Sequence, residues 1–354
     1  MAQSKDGIGA LTETMAEMVQ GLRDRDFIRD ALGRYVSPEL ADQFLRDKGS
    51  LRLGGELREV TILMSNLRGF SGLSEQIGPE AMLRLLNRYF ACMTPIVQAH
   101  AGTINEFIGD AMLVLFGAPL QRPDDAERGV RCAAAMQLAM RGFNAESAAT
   151  GAPELQTGIG LHTGEVVAGN IGSADHVKYG VVGPAVNLAS RIESQTVGAQ
   201  VLVSTATLAR CGGVARVGPE RELALKGASS PTVVHLLLGT ADGPDLPGTQ
   251  ASAWATVDLA AALYLVDGTR VETEAKAARV LRIAAHEVEF AGVTGLTLAQ
   301  PFKLEVAFPE GPGAGSYAKI ILLDAGNGSV RAAFTSLAAA DRTAIERLTQ
   351  ARQG

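Results

Sequence analysis

Between residues 57 and 238 the apolar residues switch repeatedly between a period of two and a helical period. That order restricts the folds open to this chain. Val60 to Met64 reads as a strand, and Pro79 to Ala99 carries Met82, Leu85, Leu86, Tyr89 and Met93 at helical spacing. From Thr103 to Phe116 two apolar runs flank Gly109-Asp110, which predicts a β-hairpin with an acidic tip. Pro123-Asp124-Asp125 caps a helix through Val130, Ala133, Met136 and Met140. Leu155 to Leu161 and Val166 to Gly169 read as strands around Thr163-Gly164, and Tyr179 to Val182 as another. A helix then covers Ala185 to Glu193, Val201 to Val203 is a short strand, and Leu223 to Gly227 and Val233 to Leu238 close the unit. The βαββαβ order predicts an α+β unit with helices on one face of an antiparallel sheet.

A chain of 354 residues has room for about two domains and their connections. Residues 1–45 are expected to be helical. Ile8, Leu11, Met15, Met18 and Leu22 form a seam that suits either an amphipathic helix on the core or a short parallel coiled coil. Arg25, at the next seam position, suits a helix leaving a dimer. Ser37-Pro38-Glu39 marks a further helix start, and Asp47 to Ser50 with Gly54-Gly55 reads as a linker opening the domain 46–240. After a second linker, Gly239 to Gln250, residues 241–354 form a small β-rich regulatory domain. Its expected strands are Ala275 to Ile283, Val288 to Phe290, Phe302 to Phe308 and Ala318 to Leu323, with a helix over Asp341 to Ala351. Hydrophobic content of 47% supports a sizeable core, and the net charge of −6 argues against nucleic acid as the partner. Cys92, Cys132 and Cys211 lack metal-ligand spacing and read as reduced core residues. No apolar run reaches membrane-spanning length and the N-terminus lacks a secretory pattern, so a cytoplasmic location is expected.

Two features point to chemistry. The strand ending at Ser65-Asn66 meets a Gly-opened helix, and Asp110 tips the hairpin. Oxygen ligands so placed can hold a divalent cation. Gly-Asp is equally a common turn dipeptide, and two ordinary turns satisfy the same pattern. The five histidines do not cluster, which argues against zinc.

Separated motifs then agree in order: Arg68-Gly69-Phe70-Ser71, Gly102-Thr103, Phe107-Ile108-Gly109-Asp110, Phe116-Gly117-Ala118-Pro119, Gly158 to Glu165, Gly169-Asn170-Ile171-Gly172, Val186 to Arg191, and Leu225-Lys226-Gly227. Together they resemble the catalytic domain of class III nucleotidyl cyclases, the adenylate and guanylate cyclase family. Residues 6–30 resemble the last helix of a HAMP signalling module. The C-terminal domain faintly resembles PilZ domains, without their ligand-binding signatures.

The resemblance implies a ferredoxin-like catalytic domain, a dimer with sites at the subunit interface, and two divalent cations, Mg²⁺ or Mn²⁺. It places Asp110 at one metal position and Asn66 where the family has aspartate, so one carboxylate is replaced by a neutral carbonyl donor. Asn187 and Arg191, four apart on a helix, match the transition-state pair, Lys226 the triphosphate lysine, and Phe70 a substrate contact. Glu106 stands at the base-reading position and favours GTP, since a carboxylate accepts from guanine N1–H and the 2-amino group. Gly180, at the second base-reading position, leaves room without choosing a base. The implied activity is conversion of GTP, ahead of ATP, to a cyclic nucleotide and pyrophosphate in a homodimer. The alternatives are a degenerate, nucleotide-binding relative and a subunit that completes another cyclase's site in a heterodimer.

Overall fold

The computed structural model describes residues 52–70, 77–150, 154–173, 175–223, 232–247, 254–267, 270–297, 300–324 and 328–350, with scattered positions elsewhere. Its central element is the strand β1, Gly54–Leu67. Residues alternate across a strand, and β1 uses both faces. Leu63 and Leu67 join one buried cluster, whereas Val60, Ile62 and Met64 join another on the opposite face. Both edges of β1 are paired. The hairpin of β2 (Thr103–Ile108) and β3 (Ala111–Phe116) adds on one side, with Thr61 opposite Phe116 and Ser65 opposite Met112. On the other lies β4, Thr157–Gly172, in unbroken register from Gly54–Asn170 to Leu67–Thr157.

The linker expected at Gly54-Gly55 is therefore the start of β1. Gly55 faces Gly169, where an added side chain would strike the backbone of Gly54 and Gly55. Nor is Thr163-Gly164 a break: β4 runs through it, with Gly164 opposite Val60. The sheet continues through β6 (Val201–Ser204), β8 (Thr232–Thr240) and β7 (Ala215–Leu223), with β5 (Val177–Val182) on β4. One pair, β4 with β6, is parallel, because the chain between them returns through a helix. Of the strand expected over Leu223 to Gly227, Leu223 ends β7 and residues 224–227 lie outside the described residues.

Helices α1 (Pro79–Ala99) and α2 (Asp125–Ala149) cover the Leu63 face, where Tyr89, Met93, Phe116 and Met136 are fully buried. Each such side chain contributes about 1.5–3 kcal/mol. Helix α3, Pro184–Ser194, lies on the other face, its Ala185 and Ala189 packed among Ile62, Val166 and Ala168. Helices thus occupy both faces of the sheet. Small residues on α3 allow it close to the buried stretches of β1 and β4. A short helix α4, Thr205–Leu208, follows β6.

The C-terminal unit has its own core. Strands β9 (Ala255–Asp267), β11 (Lys276–Ile283), β12 (Glu287–Ala291), β16 (Ser329–Ser336), β15 (Ser316–Asp324) and β13 (Pro301–Phe308) pair in that order. A further β9–β13 pairing closes them into an antiparallel barrel. Short strands β10 (Arg270–Val271) and β14 (Gly311–Pro312) extend β9 and β13, and α5 (Ala339–Gln350) packs through Ile345. Strands β9 and β16 escape sequence reading because both are alanine-rich and carry a weak β signal. Of the N-terminal seam, Met15 and Met18 are helical and exposed; Ile8, Leu11 and Leu22 lie outside the described residues.

Candidate active site

Strand β1 delivers Asn66 to the end of the sheet, and the adjacent hairpin delivers Asp110. Gly109 makes the tip with a φ of 63°, which glycine adopts without strain. Burial pushes the Asp110 carboxyl above the usual range; hydrogen bonds from its own and the Leu67 amide, and the charge of Arg68, pull it back. Asp110 thus sits against the residue that follows Asn66. The Oδ1 of Asn66 is itself buried and has no hydrogen-bond partner. A carboxylate and an uncommitted amide oxygen at one strand end fit a single hard divalent cation. Among the described residues no cluster of three or more His, Cys, Asp or Glu side chains offers a richer site.

A buried ion pair, which sequence reading missed, backs this end. Arg68, in the turn after β1, bonds the Glu193 carboxylate and the Thr196 hydroxyl, and donates to the Glu193 carbonyl at 2.9 Å. Both side chains of the pair are only 7% exposed. Burial raises the Glu193 pKa, with Arg68 and then Lys319 opposing the rise. The seat for this pair is made by glycine. Any side chain at Gly158 would occupy the space of the Arg68 guanidinium and Thr196, and one at Gly160 would meet the Glu193 backbone. The signal was the spacing Gly158-Ile159-Gly160 on a buried strand, where only close approach of another segment explains two missing side chains.

Glu193 lies in the last turn of α3, and the same helix presents Asn187 and Arg191, the first exposed and the second half-buried. Arg68–Glu193 therefore ties the Asn66–Asp110 end of β1 to the helix of the Asn187–Arg191 pair. Glu106 is exposed on β2 and ion-paired to Lys178 of β5, Oε1 to Nζ 2.6 Å. Gly180, two residues on, is buried, and a Cβ there would meet only Ile171 Cδ1 at 3.5 Å. Space is thus left beside the Glu106–Lys178 pair. Phe70 packs partly against the main core. Lys226 lies outside the described residues.

A family model described as the adenylate and guanylate cyclase catalytic domain matches residues 55–239. The chain belongs to the adenylate and guanylate cyclase family. Among solved structures, the guanylyl cyclase Cya2 is 46% identical, covering 55% of this chain and 98% of that one, with a TM-score of 0.53. The adenylyl cyclase CyaB from P. aeruginosa is 32% identical, covering 55% of this chain and 100% of that one, at a TM-score of 0.51. Adenylate cyclase 1 of Rhizobium meliloti is 34% identical over 219 residues, 60% of this chain and 32% of that protein. The chain spans about a third of the length of such curated relatives. No helix among the described residues is long and apolar enough to cross a membrane.

Proposed function

We propose that this cyclase domain converts GTP to 3′,5′-cyclic GMP and pyrophosphate, acting as a homodimer. The observation that carries the base choice is Glu106, exposed on β2 and held by Lys178 beside the space left at Gly180. A carboxylate there accepts two guanine N–H donors, while adenine N1 would bring a second acceptor against it. The ion pair with Lys178 holds the carboxylate against β5. The 46% identity to a guanylyl cyclase structure favours the same choice over the 32% identity to an adenylyl cyclase.

Dimerisation is supported by a row of exposed apolar side chains. Leu57 faces Val167 across β1 and β4, and Val167 faces Val182 across β4 and β5. Such a row is stabilised by burial against a second copy.

Asp110 and Asn66 would hold Mg²⁺ or Mn²⁺. Bound there, the cation lowers the pKa of the ribose 3′-hydroxyl and offsets charge at the α-phosphate. The remaining work falls to the chain's own side chains. Arg191 presents a permanently charged guanidinium to the phosphoryl oxygens as negative charge builds on them. Asn187, one turn earlier on the same face, offers an amide donor near the ribose. Lys226, in this reading, meets the terminal phosphates that depart as pyrophosphate.

Calorimetric titration of the purified chain with GTP and with ATP tests the base assignment. An acceptor that a bound base covers without pairing costs about 1–3 kcal/mol, so GTP should bind about tenfold or more tightly. Glu106→Gln should erase most of that difference. Equal affinities in the unsubstituted protein would remove Glu106 as the base reader.

A further inference from the structure

The C-terminal barrel and the cyclase domain have separate apolar cores, and among the described residues no buried apolar cluster spans them. They meet through charge. Lys319, on β15, donates from Nζ to the carbonyl of Ser194, the last residue of α3, at 3.0 Å. Arg342, at the start of α5, pairs with Glu154 at 2.5 Å. Glu287 of β12 lies within electrostatic reach of Arg221 on β7.

The first two contacts fall on the two segments that hold Arg68. Ser194 follows Glu193, the ion-pair partner of Arg68. Glu154 lies two residues before Gln156, whose carbonyl accepts the Arg68 amide at 2.7 Å. The last carbonyls of a helix have no partner within it, and a cation there is favourable. Lys319 supplies that cation, and both Arg68 and Glu193 feel its charge. Ser194 also donates from Oγ to the Arg191 carbonyl at 2.7 Å, which joins this helix end to the backbone of the phosphoryl-binding arginine.

We propose that Lys319 is a positioning residue for the cyclase reaction, acting from the barrel through the C-terminal end of α3 to fix Arg191 and the Arg68–Glu193 pair. The barrel is thereby an in-chain activator, docked by charged contacts that salt weakens. The proposal rests on the cyclase reading of the site.

The test uses the full chain with GTP and Mn²⁺. A helix-terminal cation corresponds to about fivefold at its upper surface value, so Lys319→Met should lower kcat about fivefold with KM nearly constant. Amide exchange over residues 187–196 should accelerate in the same variant, and Lys319→Arg should restore both. Arg342→Glu should act in the same direction, and adding Glu154→Arg should recover the loss by restoring a pair of reversed sign. Normal turnover and unchanged exchange in Lys319→Met would overturn the proposal while leaving the cyclase reading intact. So would a loss not rescued by arginine, or one accompanied by faster exchange throughout the barrel. Absence of turnover by the unsubstituted chain with either nucleotide would refute the cyclase reading itself, and Lys319's positioning role with it.

Discussion

Replacing Glu193 with Gln should destabilise the cyclase domain far more than an ordinary surface substitution. The change is nearly isosteric, so packing on Gly160 is kept and the loss is electrostatic. In the native protein the Arg68 guanidinium, 7% exposed, has the Glu193 carboxylate, the Glu193 carbonyl and the Thr196 hydroxyl as acceptors. Gln leaves it with neutral acceptors only, and its Nε already lacks a partner. Removing one member of a buried ion pair costs about 3–5 kcal/mol, because the remaining charge stays desolvated. Against a total of about 5–15 kcal/mol for a domain, that is a large fraction. Urea unfolding followed by circular dichroism would show the lowered midpoint at unchanged slope. The paired replacement Arg68→Met with Glu193→Met should recover most of the loss, since an apolar pair leaves no buried charge. A shift below about 1 kcal/mol for Glu193→Gln would mean that water reaches Arg68 and that the pair is no lock.

Two further outcomes follow from the same corner and from the far end of the sheet. Asn66→Asp should raise turnover about tenfold with Mg²⁺ and less with Mn²⁺, since Mg²⁺ demands hard, charged ligands at strict geometry; unchanged or lower activity would show that Asn66 is not at a metal position. His162 is buried against Ser204, and burial, helped by Arg210, pushes its pKa down to about 4. The unfolded chain takes up this proton near pH 6.5 and the folded chain does not, so stability present above pH 6.5 should fall by about 3 kcal/mol toward pH 4. His162→Gln should flatten that part of the pH–stability curve, and an unaltered slope would refute the assignment.

The strands and helices that carry the site were legible because each is strongly periodic. The hairpin around Gly109-Asp110 and helices α1 and α2 fall where alternation and helical spacing put them. Legibility failed where glycine is read as a break. Gly54, Gly55 and Gly164 look like linkers or turns in one dimension, yet they lie inside strands, because glycine also serves where two backbones or a buried ion pair need the space of a side chain. It failed again for pairs distant in sequence. Arg68 stands in one motif and Glu193 two residues past the end of another, and no local spacing predicts their contact. Lys178 precedes the strand expected from Tyr179 and carries no signal of its own until β2 and β5 are brought together. Lys319 could not be found at all from sequence, since its role depends on how one unit rests on another.

The Arg68 corner also gives a physical setting for the neutral residue at 66. Four charges face one another there: the carboxylates of Asp110 and Glu193, and the cations of Arg68 and Lys319. Their formal charges cancel. An aspartate at 66 would add a third carboxylate next to Leu67, whose amide bonds Asp110, and burial already raises the Asp110 pKa. Two carboxylates at one site resist joint ionisation unless a cation lies between them. Asparagine avoids that repulsion and still presents Oδ1, which the fold buries without giving it another partner. If position 66 takes the proposed metal role, asparagine there would trade affinity for a divalent ion against stability of the ion-free corner. With no formal charge left over locally, the barrel's Lys319 becomes part of the balance, and detaching it would leave the pair of carboxylates facing Arg68 alone. The Asn66–Asp110 end of β1, the helix of Asn187 and Arg191 and the barrel contact are then one electrostatic unit, coupled through a single buried arginine.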